Sequence, residues 1–201
     1  MSPKITAHRA PGTRDFLPDE MALRERVRRV IEETFRLYGF QPLETPATER
    51  LEILTGKYGE EADRLIFKIL KRGEELESGK ASGDLADLGL RYDLTVPLAR
   101  VVAMHRGELT YPFKRYQIQP VWRAERQQKG RYREFVQCDA DIVGSSSVSA
   151  DAEIIALTDD ILQRLRIPGY RIHVNHRMLL QAIAKAAGVP DDRFLEMCVI
   201  I

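Results

Sequence analysis

Basic side chains are concentrated in residues 123–133, which run Arg-Ala-Glu-Arg-Gln-Gln-Lys-Gly-Arg-Tyr-Arg. This stretch holds five cations and a single carboxylate, Glu125, in a chain whose charges otherwise nearly cancel. Guanidinium groups suit phosphate oxygens, because their fork of N–H donors matches the phosphate geometry and their charge is permanent. The ring of Phe135, just beyond, can stack on a flat base. The stretch therefore indicates a phosphate-binding site, and the alternative is a solvated hairpin tip.

Polar side chains alternate along the segment that follows. In an extended strand the aromatic and polar side chains share one face: Phe135, Gln137, Asp139 and Asp141. Residues 136, 138 and 140 are small and apolar and point to the opposite face. The alternation predicts that the polar face lines a wet site or open solvent.

A carboxylate and a hydroxyl, Asp93 and Thr95, stand at a predicted junction between a strand and a helix. Side chains of these types either contribute to a site or cap the helix that follows, and the sequence leaves both interpretations open.

Hydrophobic periodicity predicts the helices and strands that position these residues. Residues 21–38 predict an amphipathic helix that Gly39 ends. Residues 113–122 and 135–143 predict a hairpin, which brings Arg123 and Arg133 to one end of a sheet. Further strands are predicted at 40–43, 65–70 and 170–174, and further helices at 94–105, 150–165 and 178–187. The polar residues 71–89 predict a mobile loop or insertion. The mixture is α+β, with helices packed on a largely antiparallel sheet.

Composition excludes several classes of protein. The 201 residues carry 31 Lys plus Arg and 30 Asp plus Glu, a net charge of +1, which argues against binding nucleic acid by bulk charge. We expect no membrane span and no secretory leader, and hence a cytoplasmic protein. Cys138 and Cys198 are far apart, and His173 and His176 lie in a strand pattern that separates their side chains, so we expect no metal site.

Four strings in the chain resemble the histidyl-tRNA synthetase family of class II aminoacyl-tRNA synthetases: residues 11–15, 90–97, 123–125 and 130–141. The Arg-x-Glu pattern at Arg123 and Glu125 is common to class II enzymes, and the longer strings make the resemblance specific. The resemblance runs from about residue 11 to the end of the chain.

The resemblance implies roles for the residues singled out above. Arg123 would hold the α-phosphate of ATP as the catalytic residue. The ATP-binding set would be Arg123, Glu125, Arg133 and Phe135. The histidine-binding set would be Asp93, Thr95, Arg123, Gln137 and Asp141, with Asp141 as a partner of the imidazole. The acceptor end of tRNA-His would meet Arg126, Lys129 and Arg131.

It also implies an enzyme, a histidine–tRNA ligase. L-histidine and ATP, with Mg²⁺, would give histidyl-adenylate, from which tRNA-His takes the histidyl group. Residues 1–201 would be the N-terminal part of the catalytic domain, with a dimer-forming motif at about 21–46, an ATP hairpin at about 113–143, and a homodimer as the functional state. Gln127 departs from the family, which commonly has proline there. A third motif and an anticodon-binding domain are absent from the 201 residues, so we expect the isolated chain to make no adenylate.

Two alternatives remain at this stage. One is a catalytically silent paralogue, the regulatory subunit of ATP phosphoribosyltransferase in histidine biosynthesis, which shares the fold. The synthetase is favoured because a regulator has less need of an ATP site, whereas this chain retains the whole set: Arg123, Glu125, Arg133, Phe135 and Gln137. The other is a non-enzymatic fragment that dimerises or binds RNA through residues 126–133.

Overall fold

The computed structural model describes residues 6–56, 64–126 and 128–200, so that Gln127 lies outside the described residues. The chain divides into two compact units, Met1–Leu165 and Arg166–Ile201. All candidate site residues belong to the first unit. Within the described part of the chain, no helix is both long and apolar enough to cross a membrane.

The first unit combines helices with four short strands and two strands of ten residues. In chain order they are α1 (Pro18–Leu37), β1 (Gln41–Pro42), β2 (Thr48–Arg50), α2 (Leu51–Thr55), β3 (Lys68–Leu70), α3 (Glu74–Ser82), β4 (Ala86–Leu90), α4 (Thr95–Met104), β5 (Phe113–Trp122), β6 (Glu134–Val143) and α5 (Val148–Arg164). The second unit contains α6 (Arg177–Ala186), a 3₁₀ turn (Asp191–Arg193) and α7 (Phe194–Ile200).

Two three-stranded sheets organise the first unit. One has the order β1-β5-β6, with β1 parallel to β5 and β5 antiparallel to β6. The other has the order β2-β4-β3 and is antiparallel throughout. The chain is therefore α+β, as the sequence predicts.

The helices α1 and α5 cover one face of the β1-β5-β6 sheet. The core cluster there contains Phe35 and Phe40 from the first helix and the turn after it, Tyr116 and Ile118 from β5, and Leu157 from α5. Because side chains alternate along a strand, the odd-numbered residues of β5 point to the opposite face. That opposite face is the polar one on which the candidate site residues of β6 also lie.

A second core cluster supports the junction between β4 and α4. It contains Leu54, Ile66, Tyr92 and Val96, and the Tyr92 hydroxyl donates to the carbonyl of Leu54 at 3.0 Å. Gly89 on β4 is required for this packing, because a Cβ there would lie 2.6 Å from Ile66 Cγ2. The packing fixes the backbone from which Asp93 and Thr95 project.

The structure corrects several predictions made from the sequence. Residues 71–89 are not a mobile loop, since they form α3 and then β4, the central strand of the β2-β4-β3 sheet. Because these residues are mostly polar, the sequence did not indicate the strand β4, which pairs with β2 on one side and β3 on the other. The described residues 170–174 form no strand, and the strands predicted at 40–43 and 65–70 shorten to 41–42 and 68–70. Cys138, on the small apolar face predicted for this strand, lies on the helix-facing side of β6 and is exposed.

Candidate active site

The hairpin of β5 and β6 forms as predicted, with Phe113 opposite Val143 and Trp122 opposite Glu134. The pairing continues one step beyond the strands, because the amide of Arg123 donates to the carbonyl of Arg133 at 2.8 Å. Arg123 and Arg133 therefore lie side by side at the end of the sheet, where the cationic loop begins and ends.

A cavity of about 450 Å³ opens at this end of the hairpin. It is lined by the four residues that the resemblance assigns to ATP, namely Arg123, Glu125, Arg133 and Phe135. Arg126 and Arg131, assigned to the tRNA acceptor end, also line it, whereas Lys129 is exposed on the loop. The volume falls within the range of about 300–1,000 Å³ that is typical of small-molecule sites. We refer to this space as the hairpin cavity.

Backbone carbonyls hold both arginines at the mouth of the hairpin. Arg123 Nε donates to the carbonyl of Tyr92 at 3.0 Å, and its guanidinium carbon lies 5.1 Å from the centroid of the Phe135 ring. Arg133 Nε donates to the carbonyl of Glu125 at 3.1 Å. Each guanidinium is thus fixed through Nε, and the terminal nitrogens form the fork that suits phosphate oxygens.

The segment before α1 closes over the hairpin. The carbonyl of Gly12 accepts from the amide of Arg133 at 2.8 Å, and Gly12 has a φ of +84°. A Cβ at this position would lie 2.7 Å from Arg133 Cγ. Glycine is therefore required both by the left-handed backbone and by the close approach of the arginine side chain.

Asp93 and Thr95 occupy the turn between β4 and α4. Asp93 Oδ1 accepts from the amide of Val96 at 3.0 Å, so this carboxylate does cap the helix, as one of the two interpretations predicts. Thr95 and Asp141 line a second cavity, of about 890 Å³, which runs along an apolar side of α4. We refer to it as the α4 cavity.

Two acceptors on the polar face of β6 are buried without a hydrogen-bond partner among the described residues. They are Gln137 Oε1 and Asp141 Oδ2, the second of which still forms an ion pair with Arg115 Nη2 at 2.7 Å. A buried polar atom that lacks a partner is costly, and such atoms are commonly satisfied by a ligand or by water. The same face carries Asp139, and burial raises the pKa of its carboxyl group, with Asp141 and Asp93 acting in the same direction and Arg115 and Arg123 opposing them.

The structure thus separates the candidate residues into two neighbouring groups. The ATP set meets in the hairpin cavity, while Thr95 and Asp141 meet in the α4 cavity, and Gln137 lies between them on β6. Among the described residues, no three His, Cys, Asp or Glu side chains gather into a group that could hold a metal ion. His176 Nδ1 accepts from the amide of Met178 and caps α6.

Comparison with known proteins decides the family. The model of histidyl-tRNA synthetases matches residues 12–198, which is nearly the whole chain. The chain belongs to the histidyl-tRNA synthetase family. A curated histidine–tRNA ligase of Bacteroides fragilis is 52% identical over 191 residues, which cover 90% of this chain and 42% of that protein. One from Gloeobacter violaceus is 50% identical over 196 residues, with the same coverage of both chains.

Solved structures agree with this family assignment. Histidyl-tRNA synthetase from Nostoc sp. PCC 7120 superposes with a TM-score of 0.80 at 32% identity, covering 97% of this chain and 43% of that one. A Bacillus halodurans protein, described as an ATP phosphoribosyltransferase regulatory subunit/histidyl-tRNA synthetase, superposes with a TM-score of 0.78 at 26% identity, covering 96% of this chain and 47% of that one. The chain spans about two fifths of the length of the curated histidyl-tRNA synthetase relatives.

Within this member of the histidyl-tRNA synthetase family, sequence reasoning missed several residues at the site. Arg14 lines the hairpin cavity, and its guanidinium carbon lies 3.5 Å from the centroid of the Tyr132 ring. Arg91 and Arg115 are fully buried beside the proposed site residues. The polar alternation of Arg115, Gln117 and Gln119 along β5 was a signal for the polar face, whereas nothing local to Arg14 links it to the distant hairpin.

Proposed function

We propose that this chain is the ATP- and histidine-binding part of a histidine–tRNA ligase of class II, corresponding to the N-terminal part of its catalytic domain. The observation that carries the proposal is the convergence of Arg123, Glu125, Arg133 and Phe135 on one cavity at the end of a hairpin. Membership of the family and the cationic lining of the cavity support it in addition.

In the proposed ATP site, Phe135 stacks on adenine and Arg123 bonds the α-phosphate. Two features support these roles: the guanidinium of Arg123 lies 5.1 Å from the Phe135 ring, and its Nε is anchored on the carbonyl of Tyr92. A single nucleotide could contact both side chains. Arg133 would bind further phosphate oxygens, and Glu125 would contact ATP or the tRNA end.

In the proposed histidine site, Asp93 and Thr95 bind the amino group, and Gln137 and Asp141 bind the imidazole ring. The side-chain oxygens of Gln137 and Asp141 support this assignment, because both are acceptors and histidine offers N–H donors from its amino group and its imidazole ring. Gln137 Oε1 lacks a hydrogen-bond partner among the described residues, and Asp141 Oδ2 is held in an ion pair with Arg115. A site built from such buried acceptors discriminates strongly, since an analogue that lacks the donor leaves them unpaired.

The proposed reaction begins when the carboxylate of histidine attacks the α-phosphate, forming a new P–O bond as pyrophosphate leaves. The protein contributes alignment of two anions and neutralisation of developing charge by Arg123, which is fixed before the substrates arrive. The terminal ribose of tRNA-His then takes the histidyl group, with the exposed Arg126, Lys129 and Arg131 beside its phosphates.

Mg²⁺ accompanies ATP in the proposed reaction. The described residues build no cluster of three metal ligands, so they do not by themselves form a site for the ion. Mg²⁺ keeps several waters and is commonly held by substrate phosphates with one or two carboxylates. We therefore assign the ion to the ATP phosphates.

We further propose a cytoplasmic homodimer in which residues 21–46 contribute to the subunit interface. Support comes from the family resemblance and from exposed apolar side chains at the start of α1, where Met21 is 38% and Leu23 is 63% exposed. Sedimentation velocity of the chain tests the dimer, and a monomer at all accessible concentrations would contradict it.

Isothermal titration of the 201-residue chain with ATP and, separately, with L-histidine tests the function. Binding of both supports the ligase. Histidine alone would favour a regulatory subunit of the kind named for the Bacillus halodurans neighbour, and neither would favour a non-enzymatic fragment.

Arg123→Ala should weaken ATP binding about tenfold or more, because a charge-assisted bond to phosphate is lost. Arg164→Ala is the matched control, since Arg164 forms an ion pair with Asp160 on the surface of α5. In an enzyme with the complete catalytic domain, Arg123→Ala should also abolish histidine-dependent ATP–pyrophosphate exchange. The isolated chain should make no adenylate, and near-normal exchange by either protein would contradict the corresponding proposal.

A further inference from the structure

Arg115 is a fully buried arginine on the polar face of the sheet, and the roles proposed above do not use it. It lies on β5 directly opposite Asp141 on β6, and its side chain has 0% exposure, whereas that of Asp141 is 33% exposed. Arg115 therefore has no open path to a ligand, while Asp141 reaches the α4 cavity. Any effect of Arg115 on binding must pass through the groups that it touches.

Two contacts connect Arg115 with both walls of the proposed histidine site, and a third anchors it on its own strand. Its Nη2 lies 2.7 Å from Asp141 Oδ2 and donates to the carbonyl of Leu94 at 3.3 Å. Its Nη1 donates to Gln117 Oε1 at 3.2 Å. Leu94 is the residue between Asp93 and Thr95, so one guanidinium joins the turn that carries those two side chains to the strand that carries Asp141.

Three carboxylates surround the guanidinium of Arg115. The groups facing it are the carboxylates of Asp141 and Asp139 on β6 and of Asp93 in the turn before α4. Burial lowers the pKa of Arg115, while these three carboxylates act to raise it. The guanidinium of Arg115 thus lies among three acidic groups, and its Nη2, 2.7 Å from Asp141 Oδ2, holds that carboxylate in place.

A buried network continues from Arg115 away from the site. Gln117 Nε2 donates to Thr45 Oγ1 at 2.8 Å and also to Gln119 Oε1. Arg91 Nη1 donates to the same Gln119 oxygen at 3.3 Å and to the carbonyl of Thr45 at 2.6 Å. The side chain of Arg115 is therefore held from behind, which is what a group that orients another side chain requires.

We propose that Arg115 is a positioning residue that orients the Asp141 carboxylate, and the turn of Asp93 and Thr95, for recognition of histidine. The proposal rests on the proposed function, since it takes the ligand of this site to be histidine. It adds a residue with no ligand contact of its own. Arg115 acts on the histidine half of the site, and the ATP half at the hairpin cavity is independent of it.

A double-mutant cycle on the 201-residue chain tests the proposal, with binding of L-histidine and of ATP measured by titration calorimetry. Arg115→Met should lower histidine affinity about tenfold or more, because a charged group loses its partner. ATP affinity should change less than about twofold. Asp141→Asn should also weaken histidine binding, and the double variant should be no weaker than the weaker single variant, because Arg115 acts through Asp141.

Two further variants keep the test decisive. Arg115→Lys preserves the charge but not the fork, so it should recover part of the histidine affinity that Arg115→Met loses. Arg100→Met is the matched control, because Arg100 pairs with the buried Glu49 outside both cavities and its loss should leave histidine binding unchanged. If Arg115→Met does not fold, the cycle is completed with Arg115→Lys, and the double variant removes both members of the ion pair instead of leaving Asp141 without its partner.

The outcomes separate this proposal from the proposed function. Losses of histidine affinity that simply add in the double variant, or equal losses for histidine and ATP, would assign Arg115 a purely structural role and overturn the inference. Failure of the unmodified chain to bind histidine at all would instead overturn the proposed function, and the inference with it.

Discussion

Substitution of Gly12 should have a large effect, because both the backbone conformation and the space around this residue require glycine. Its φ of +84° places it in the left-handed region, and its carbonyl accepts from the amide of Arg133 at 2.8 Å. In Gly12→Ala the new Cβ would stand 2.7 Å from Arg133 Cγ and 2.8 Å from Cδ, about 1 Å closer than a comfortable carbon–carbon contact. The arginine that we assign to phosphate binding must then move.

The expected loss of stability in Gly12→Ala has two contributions. The left-handed backbone costs an alanine about 1–2 kcal/mol. Displacement of the Arg133 side chain and loss of its 2.8 Å backbone bond add about 1 kcal/mol. We therefore expect Gly12→Ala to lower the free energy of unfolding by about 2–3 kcal/mol and to weaken ATP binding about tenfold, since one phosphate-binding fork is misplaced.

Gly83→Ala is the matched control. Gly83 has a φ of +77°, and a Cβ there meets nothing within 4 Å, so this variant isolates the backbone cost. Urea unfolding followed by circular dichroism measures stability, and titration calorimetry measures ATP binding. Gly83→Ala should lose about 1–2 kcal/mol and bind ATP normally. Equal stability losses in the two variants, with ATP binding unchanged in both, would refute the argument from close contact.

Three further predictions concern buried groups. Because burial raises the pKa of Asp139, the charged carboxylate is unfavourable in the folded state at neutral pH, and the cost disappears as the pH falls through the raised pKa toward its ordinary value. Asp139→Asn should therefore raise the melting temperature at pH 7 more than at pH 4, and a pH-independent effect would contradict this. Glu49→Gln should cost about 3 kcal/mol in urea unfolding, because the carboxylate is 5% exposed and bonds Arg100 at 2.6 Å, and a loss below about 1 kcal/mol would show the pair to be weak. Leu54→Ala should cost about 2–5 kcal/mol since Leu54 is fully buried, whereas Leu37→Ala, at a residue 65% exposed, should cost less than about 0.5 kcal/mol.

The hairpin and the clustering of cations at its end could be predicted from local sequence. Strands 113–122 and 135–143 alternate strongly enough to fix the faces, and the paired strands carry Arg123 and Arg133 to the same end. The same reasoning gave a wrong prediction for residues 71–89, because the apolar side chains that indicate a strand are sparse there. The strand β4 is stabilised by neighbours on both sides rather than by its own composition.

The sequence by itself indicated the family and the cationic hairpin, and it predicted which residues would meet ATP and histidine, because these inferences depend on residue type and short-range spacing. Only the tertiary structure decided that Gly12 and Arg14 reach the hairpin, more than a hundred residues away along the chain. It alone placed Arg115 opposite Asp141 and beside the turn before α4. Such contacts depend on register and on burial, which are properties of the packed chain and which no local pattern contains.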